Sequence, residues 1–369
     1  MIKTDESKNS VSVLKEVQGI YRTFGYKRFK MNKFEEYDTY VRVKDFLISD
    51  KVITFTGTNG KLLAMKPDVT VSIIKNSDDA EENQGVKKFY YNENVYRVSG
   101  KTHDFREIMQ TGLECIGDID EYNLCEVVML AAKSLSTISE SFVLDISHMG
   151  YVSGLIDACG ASETDAAKIL KAVSEKNTAE LLSVCEKANV SSDLTEKLMS
   201  LVSLYGPAKE VIKSLGKMCV NDEMKKAEKT LSSIVSALSE NGFSHNINID
   251  FSVVNDMNYY NGLVFRGYIE GVPEGVLSGG QYDKLMKKMG KSAKAVGFAI
   301  YLDLLERVTQ KKERYDADVL LVYEDGVPPS AVLKKAKEIT LSGKTVLVEK
   351  CESDKLICGE TIFLTKEDA

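Results

Sequence analysis

The sequence predicts an α+β fold: an antiparallel sheet flanked by helices, with a helical insertion and a small C-terminal α/β domain. Three observations carry this. Residues 52–65 and 87–116 contain segments that alternate with period two and read as paired strands. From Glu121 to about Asn241 the chain is rich in Ala, Leu, Lys and Glu and reads as helical. From near Tyr315 it turns to a β-α-β pattern. The expected divisions are 1–120 and 242–312 for the two parts of the sheet domain, 121–241 for the insertion, and 315–369 for the terminal domain.

Taken in order, Ser10 to Phe24 places Val11, Leu14, Val17, Ile20 and Tyr21 at helical spacing, which predicts an amphipathic helix. Val52–Thr56 and Leu62–Met65 flank Gly57-Thr58-Asn59-Gly60-Lys61 and read as a hairpin. Lys87–Arg97 and Ile108–Ile116 are the next two strands, bracketing a basic loop. Within the helical stretch, residues 161–168 and Ser191-Ser192-Asp193-Leu194 look like helix starts, because Ser and Asp side chains accept hydrogen bonds from the open N–H groups of a first turn. Asn246–Phe251 returns to strand alternation. Asp318–Tyr323, a helix over about Ser330–Leu341, and Thr345–Glu349 form the terminal β-α-β unit, with Ile362-Phe363-Leu364 as a further strand. Residues 315–369 are few for a doubly wound domain.

With 369 residues, 43% apolar and 28% charged, the chain is long enough for two or three domains of ordinary composition. Its 48 basic and 55 acidic residues give a net charge of −7 without a basic tail. That fits tRNA poorly, since tRNA binding rests on neutralising phosphates. Seven cysteines, odd in number and without a Cys-x-x-Cys pair, argue against a zinc site or disulfide framework and fit a reducing cytoplasm. His103, His148 and His245 lack metal-ligand spacing, so no metal is expected. The first residues have no apolar signal core, and no run reaches the ~18 apolar residues of a membrane span, so the expected location is cytoplasmic. Lys284, Lys287, Lys288, Lys291 and Lys294 read as a solvated helical surface.

The chemistry concentrates in Arg97–Gly117. There a basic loop leads into a strand whose period of two puts Gln110, Gly112 and Glu114 on one face. On pattern alone that face is either solvated or, turned into a cavity, offers a carboxylate and an amide to a small polar cation. Four segments then carry a resemblance. Arg97–Gly117 resembles motif 2 of the class II aminoacyl-tRNA synthetases, in the form belonging to histidyl-tRNA synthetase. Met65-Lys66-Pro67-Asp68-Val69-Thr70 resembles that family's amino-acid-binding strand, and Asn258-Tyr259-Tyr260-Asn261 its histidine motif. Ser278-Gly279-Gly280-Gln281-Tyr282-Asp283, followed by Ala295–Ala299, resembles its Gly-rich hairpin and the start of motif 3. Order and approximate spacing agree as well. Phe29–Val41 sits where motif 1 belongs, with Asn32 at the motif's proline and Glu35 at its acidic position.

The resemblance implies a class II synthetase-like fold and a histidine pocket. Asp68 stands where a carboxylate, usually Glu, holds the substrate ammonium; Thr70, Gln110, Glu114, Tyr259, Tyr260 and Tyr282 match further binding positions. A carboxylate facing an imidazole gives a charge-assisted hydrogen bond and fixes its tautomer. The resemblance also implies that the activation chemistry is lost. The motif 2 Glu that helps hold adenine is Ser99, the motif 3 arginine is Leu304 with Tyr301 at the preceding glycine, and the catalytic arginine before the tyrosine motif is Asn255. Losing one donor that stabilises a charged transition state typically costs about 100- to 1000-fold in rate. Arg97 and Arg106 match the family's ATP-phosphate arginines, and either bind a phosphate-bearing ligand or pair with Glu114 or Asp68.

An amino-acid pocket kept beside a lost activation site is the pattern of a sensor. It is similar to the family of ATP phosphoribosyltransferase regulatory subunits, which implies a non-catalytic protein that activates a short catalytic subunit at the first step of histidine biosynthesis. Free histidine is then the feedback effector. The resemblance further implies a homodimer, through motif 1, within a hetero-oligomer, and no cofactor. Two other readings stay open. A divergent histidyl-tRNA synthetase or histidine-activating ligase requires histidine-dependent pyrophosphate exchange, and a synthetase-like interaction module requires a different partner.

Overall fold

A computed structural model describes residues 10–44, 52–77, 85–98, 104–253, 260–309, 315–352 and 356–367. The chain divides into two compact units, Met1–Glu306 and Arg307–Ala369.

The first unit opens with α1 (Ser10–Thr23); of the residues expected on its apolar side Val17 and Tyr21 are buried and Leu14 and Ile20 half-buried, and Val13, which lay outside that set, is buried with them. Then come β1 (Lys27–Arg28), β2 (Phe34–Glu36), α2 (Asp38–Val41), and the predicted hairpin of β3 (Thr54–Thr56) and β4 (Leu62–Met65). Strand β2 pairs with the other edge of β4, making a small sheet of its own. A short helix, α3 (Val69–Asn76), leads to the long antiparallel pair β5 (Lys87–Val98) and β6 (Phe105–Gly117). Helix α4 (Glu121–Ile138) begins at a capping box made by Asp120 and Asn123.

The stretch expected to be helical from Glu121 to Asn241 is interrupted. Its helices α5 (Met149–Ala158), α6 (Glu163–Ser174), α7 (Thr178–Lys187), α8 (Ser192–Ser203), α9 (Ala208–Met218) and α10 (Asp222–Glu240) are present. Ser162 and Ser191 cap α6 and α8 at the two predicted starts. But β7 (Phe142–His148) and β8 (Tyr205–Pro207) are strands of the main sheet. Phe142, Leu144 and Ile146 alternate with Asp145 and Ser147, a period of two that the helix-rich surroundings obscure. The sheet is completed by β9 (Ile247–Asp250), β10 (Leu263–Ile269), β11 (Leu277–Gln281) and β12 (Lys294–Tyr301), with α11 (Asp283–Lys288) before β12 and α12 (Leu302–Thr309) after it.

Among the described residues the sheet order is β1-β5-β6-β12-β11-β10-β7-β9-β8. The six strands from β5 to β7 are antiparallel throughout, while β1 and β9 add in parallel. One face, carrying Leu113, Ile146, Phe265 and Phe298, packs on α1, α4 and α10 in a single large core. Residues one step along each strand point to the opposite face, and that face holds the site. Gly279 and Gly280 lie inside β11 rather than in a turn, and they are glycine there because a Cβ would meet Phe265 and Phe298 or Tyr260. Lys284, Lys287, Lys288 and Lys294 are exposed, whereas Lys291 donates to the Ser77 carbonyl at 3.0 Å.

The second unit pairs β13 (Ala317–Tyr323) in parallel with β14 (Val346–Glu349) and β15 (Cys358–Leu364), with α13 (Pro329–Leu341) as the crossover helix. Val319, Leu321, Val332, Ile339 and Leu364 form its core. No helix among the described residues is long and apolar enough to cross a membrane.

Candidate functional site

The segment after β4 is not a strand at the functional residues. Asp68 is the N-cap of α3 and accepts from the Val71 N–H at 3.0 Å, so Asp68 and Thr70 sit at the mouth of a helix. The Asp68 carboxylate also faces the Arg97 guanidinium at 3.8 Å, while Arg97 Nε donates to the Pro67 carbonyl at 3.0 Å. Burial raises the Asp68 pKa, and Arg97 opposes that rise.

Strand β6 turns its Gln110, Gly112 and Glu114 inward, and the two polar side chains are 3% and 2% exposed. Both oxygens of Glu114 are held. Thr70 donates to one at 2.7 Å, and the Tyr282 hydroxyl makes a short hydrogen bond to the other. Burial nonetheless outweighs these donors and pushes the Glu114 pKa up to about 8. Gly297 stands directly opposite Glu114 on β12, and any Cβ there would overlap the Glu114 carboxylate and the Leu113 carbonyl. One wall is braced from behind by Lys66, 1% exposed and paired with Glu93 at 2.8 Å; Glu93 stands opposite Gln110.

The inward-facing side chains line a cavity of about 130 Å³. A cavity of about 150 Å³ is enough to take a benzene ring, so this space is on the scale of a small ring-bearing ligand. Asp68, Thr70, Arg97, Gln110, Glu114, Tyr260 and Tyr282 all line it. Arg106 does not; it is exposed, opposite Arg97 across the β5–β6 pair. Tyr259, Ser99 and Asn255 lie outside the described residues. The cavity also takes in Tyr91, Arg266, Ser278, Gly297 and Tyr301, which the sequence alone does not mark as binding residues. Register explains them: Tyr91, Gly112, Ala299, Ser278 and Arg266 are successive cross-strand partners in one row. Leu304, at the motif 3 arginine position, is buried in the apolar core.

The site is therefore a small, partly open pocket lined by a buried acid, a carboxylate–arginine pair at a helix start, and tyrosines. Comparison with known proteins agrees with this architecture. A protein of Oceanobacillus iheyensis named ATP phosphoribosyltransferase regulatory subunit is 27% identical over 362 residues, covering 97% of this chain and 89% of that one. A Bacillus halodurans crystal structure, described as an ATP phosphoribosyltransferase regulatory subunit/histidyl-tRNA synthetase, superposes with TM-score 0.77 at 24% identity, over 99% of this chain and 97% of the other. A chain of the ATP phosphoribosyl transferase (HisG:HisZ) complex of Thermotoga maritima has TM-score 0.63 at 20% identity, over 79% and 97% of the two chains. The family model for histidyl-tRNA synthetase matches residues 2–305, most of the sequence, and the chain belongs to that family.

Proposed function

We propose that this protein is the non-catalytic regulatory subunit of ATP phosphoribosyltransferase, acting at the first step of histidine biosynthesis. It activates the short catalytic subunit, and free histidine bound in the cavity is the feedback effector. The observation that carries the reading is the contrast between the two halves of the site. The amino-acid end keeps Asp68, Thr70, Gln110, Glu114, Tyr260 and Tyr282 around one cavity. At the activation end Leu304 is packed into the core, and Tyr301 fills wall space where the family has glycine. An amino-acid pocket kept while the motif 3 arginine position is filled by a core leucine fits a sensor of that amino acid rather than an enzyme that activates it. The regulatory-subunit name of the Oceanobacillus iheyensis relative, matched along 97% of this chain, supports the same reading.

The mechanism is linkage: histidine shifts the assembly toward whichever conformation binds it better, by its differential affinity, typically about 1–3 kcal/mol for such coupling. A homodimer within the hetero-oligomer completes the proposal. Phe34 and Phe55, in edge contact at 5.1 Å, are 49% and 38% exposed, and Val41 is 50% exposed, an apolar surface that self-association would cover.

The test is phosphoribosyl-ATP formation by the short catalytic subunit of the same organism, with and without this chain, then with histidine. Activation followed by histidine inhibition is expected, with Glu114→Ala abolishing the inhibition and leaving the activation. Histidine-dependent exchange of pyrophosphate into ATP by this chain alone would instead mark a divergent histidyl-tRNA synthetase.

A further inference from the structure

The two arginines of the cavity wall are used differently. Arg97 is committed to the Pro67 carbonyl and Asp68. The Arg266 side chain has no hydrogen-bond or ion-pair partner among the described residues. Its acidic neighbour across the β10–β7 pair, Asp145, is engaged by Asn248 at 3.2 Å. Arg266 is nevertheless held in place. Its stem lies over Gly275, where a Cβ would come within 2.8 Å of the Arg266 Cγ and Cδ. Ser278, directly opposite Arg266 on β11, lines the same cavity, and its hydroxyl also has no partner among the described residues.

A half-buried guanidinium with no acid paired to it among the described residues is costly unless something anionic meets it. Arg266 lies three strands from β6, which carries Glu114. At about 4.8 Å per strand the two strands are about 14 Å apart; Arg266 stands in the row of Gly112, two residues along from that of Glu114, and both line the same cavity.

We infer that Arg266, with Ser278 beside it, receives the carboxylate of the amino acid bound in this cavity. The inference rests on the reading of the cavity as a histidine site. It makes the site a reader of both ends of its ligand: Glu114, Thr70 and Tyr282 take the side chain, Asp68 the ammonium, and Arg266 the carboxylate. A planar fork of N–H donors matches a carboxylate in a way that a lone ammonium does not.

Calorimetric titration of the full chain with histidine, histidinamide and histamine tests this on the wild type, R266M and R266K. The wild type is expected to prefer histidine over the two uncharged-end analogues by about 10- to 100-fold, the size of a hydrogen bond to a charged group. R266M should lose histidine affinity by that factor and keep histidinamide affinity within about twofold, with R266K between, since it keeps the charge but not the fork. R266M discriminating as the wild type does would overturn the inference while leaving the histidine site intact. A wild type that binds no histidine would overturn both. Inorganic phosphate or ATP binding lost in R266M, with histidine binding unchanged, would assign Arg266 to a phosphate and overturn the carboxylate role. Melting curves establish that each variant folds, and R266K carries the comparison if R266M does not.

Discussion

Glu114→Gln separates what the buried acid does for binding from what it does to stability. Gln has the same shape and can still meet the Thr70 and Tyr282 hydroxyls, but it cannot ionise. In the folded protein the Glu114 pKa is pushed from the ordinary 4.5 up to about 8 by burial. A carboxyl whose pKa is higher folded than unfolded contributes stability that is complete below the unfolded value, and that contribution drains away as pH rises through the folded one. The window is therefore pH 4.5 to about 8, and within it each pH unit withdraws about 1.4 kcal/mol. For a protein of this size that is about 2 °C in Tm per pH unit. Asp68 faces the same cavity and is also raised by burial, with Arg97 opposing. It is present in both proteins, so the difference between their Tm–pH curves isolates Glu114 to the extent that the two acids do not couple. Differential scanning calorimetry from pH 5 to 8 should show the wild type falling steadily relative to E114Q. Parallel curves would refute the claim that Glu114 is a buried, neutral acid at physiological pH.

Two further substitutions probe the cavity's construction. G297A forces a methyl group against the Glu114 carboxylate and the rigid Leu113 carbonyl. Overpacking of this kind costs about 1–3 kcal/mol, so a lowered denaturation midpoint and loss of histidine binding are expected in equilibrium unfolding and titration. K66M strands Glu93 behind the Gln110 wall, and breaking a buried pair typically costs about 3–5 kcal/mol. The double variant K66M/E93M should recover most of that loss, as urea unfolding would show.

Much of this molecule was legible in the sequence because side-chain period reports local geometry. Gln110, Gly112 and Glu114 share a face on any strand, and Val17, Ile20 and Tyr21, three and four apart, share one on a helix but not on a strand. What stayed hidden depends on register between distant strands. Arg266 reads as an ordinary charged residue in an apolar run, and only its place opposite Ser278 brings it to the cavity. Tyr91 enters through its pairing with Gly112, and Gly297 acquires its meaning from Glu114, far away in sequence. Asp68 was legible as a polar residue at a motif position, but its capping of α3 was not, because the motif suggested an extended strand there. Strand β7 was lost to composition: seven residues between long helices carry too little period-two signal to stand out.

The proton on Glu114 also dictates how the pocket should respond to pH when it binds its proposed ligand. A free imidazole titrates near 6.5, below the value of about 8 for Glu114, so between the two values Glu114 carries one proton and the ligand's imidazole is neutral. A complex in which Glu114 and the imidazole share one proton then forms with no net uptake or release. Below about pH 6.5 the free imidazolium brings a second proton that must be shed. Above about pH 8 the ionised site must recover one from solvent. Affinity should therefore be level between these limits and fall on either side, by as much as about tenfold per pH unit. E114Q should keep the acid limb, because Gln still prefers a neutral imidazole, and should lose the part of the alkaline limb that begins near pH 8. Histidine titrations across pH 5.5 to 9 distinguish the cases. Affinity that climbs as pH rises through 8 in the wild type would mean that the ligand's side chain does not meet Glu114, and the assignment of the cavity's two ends would have to be reversed.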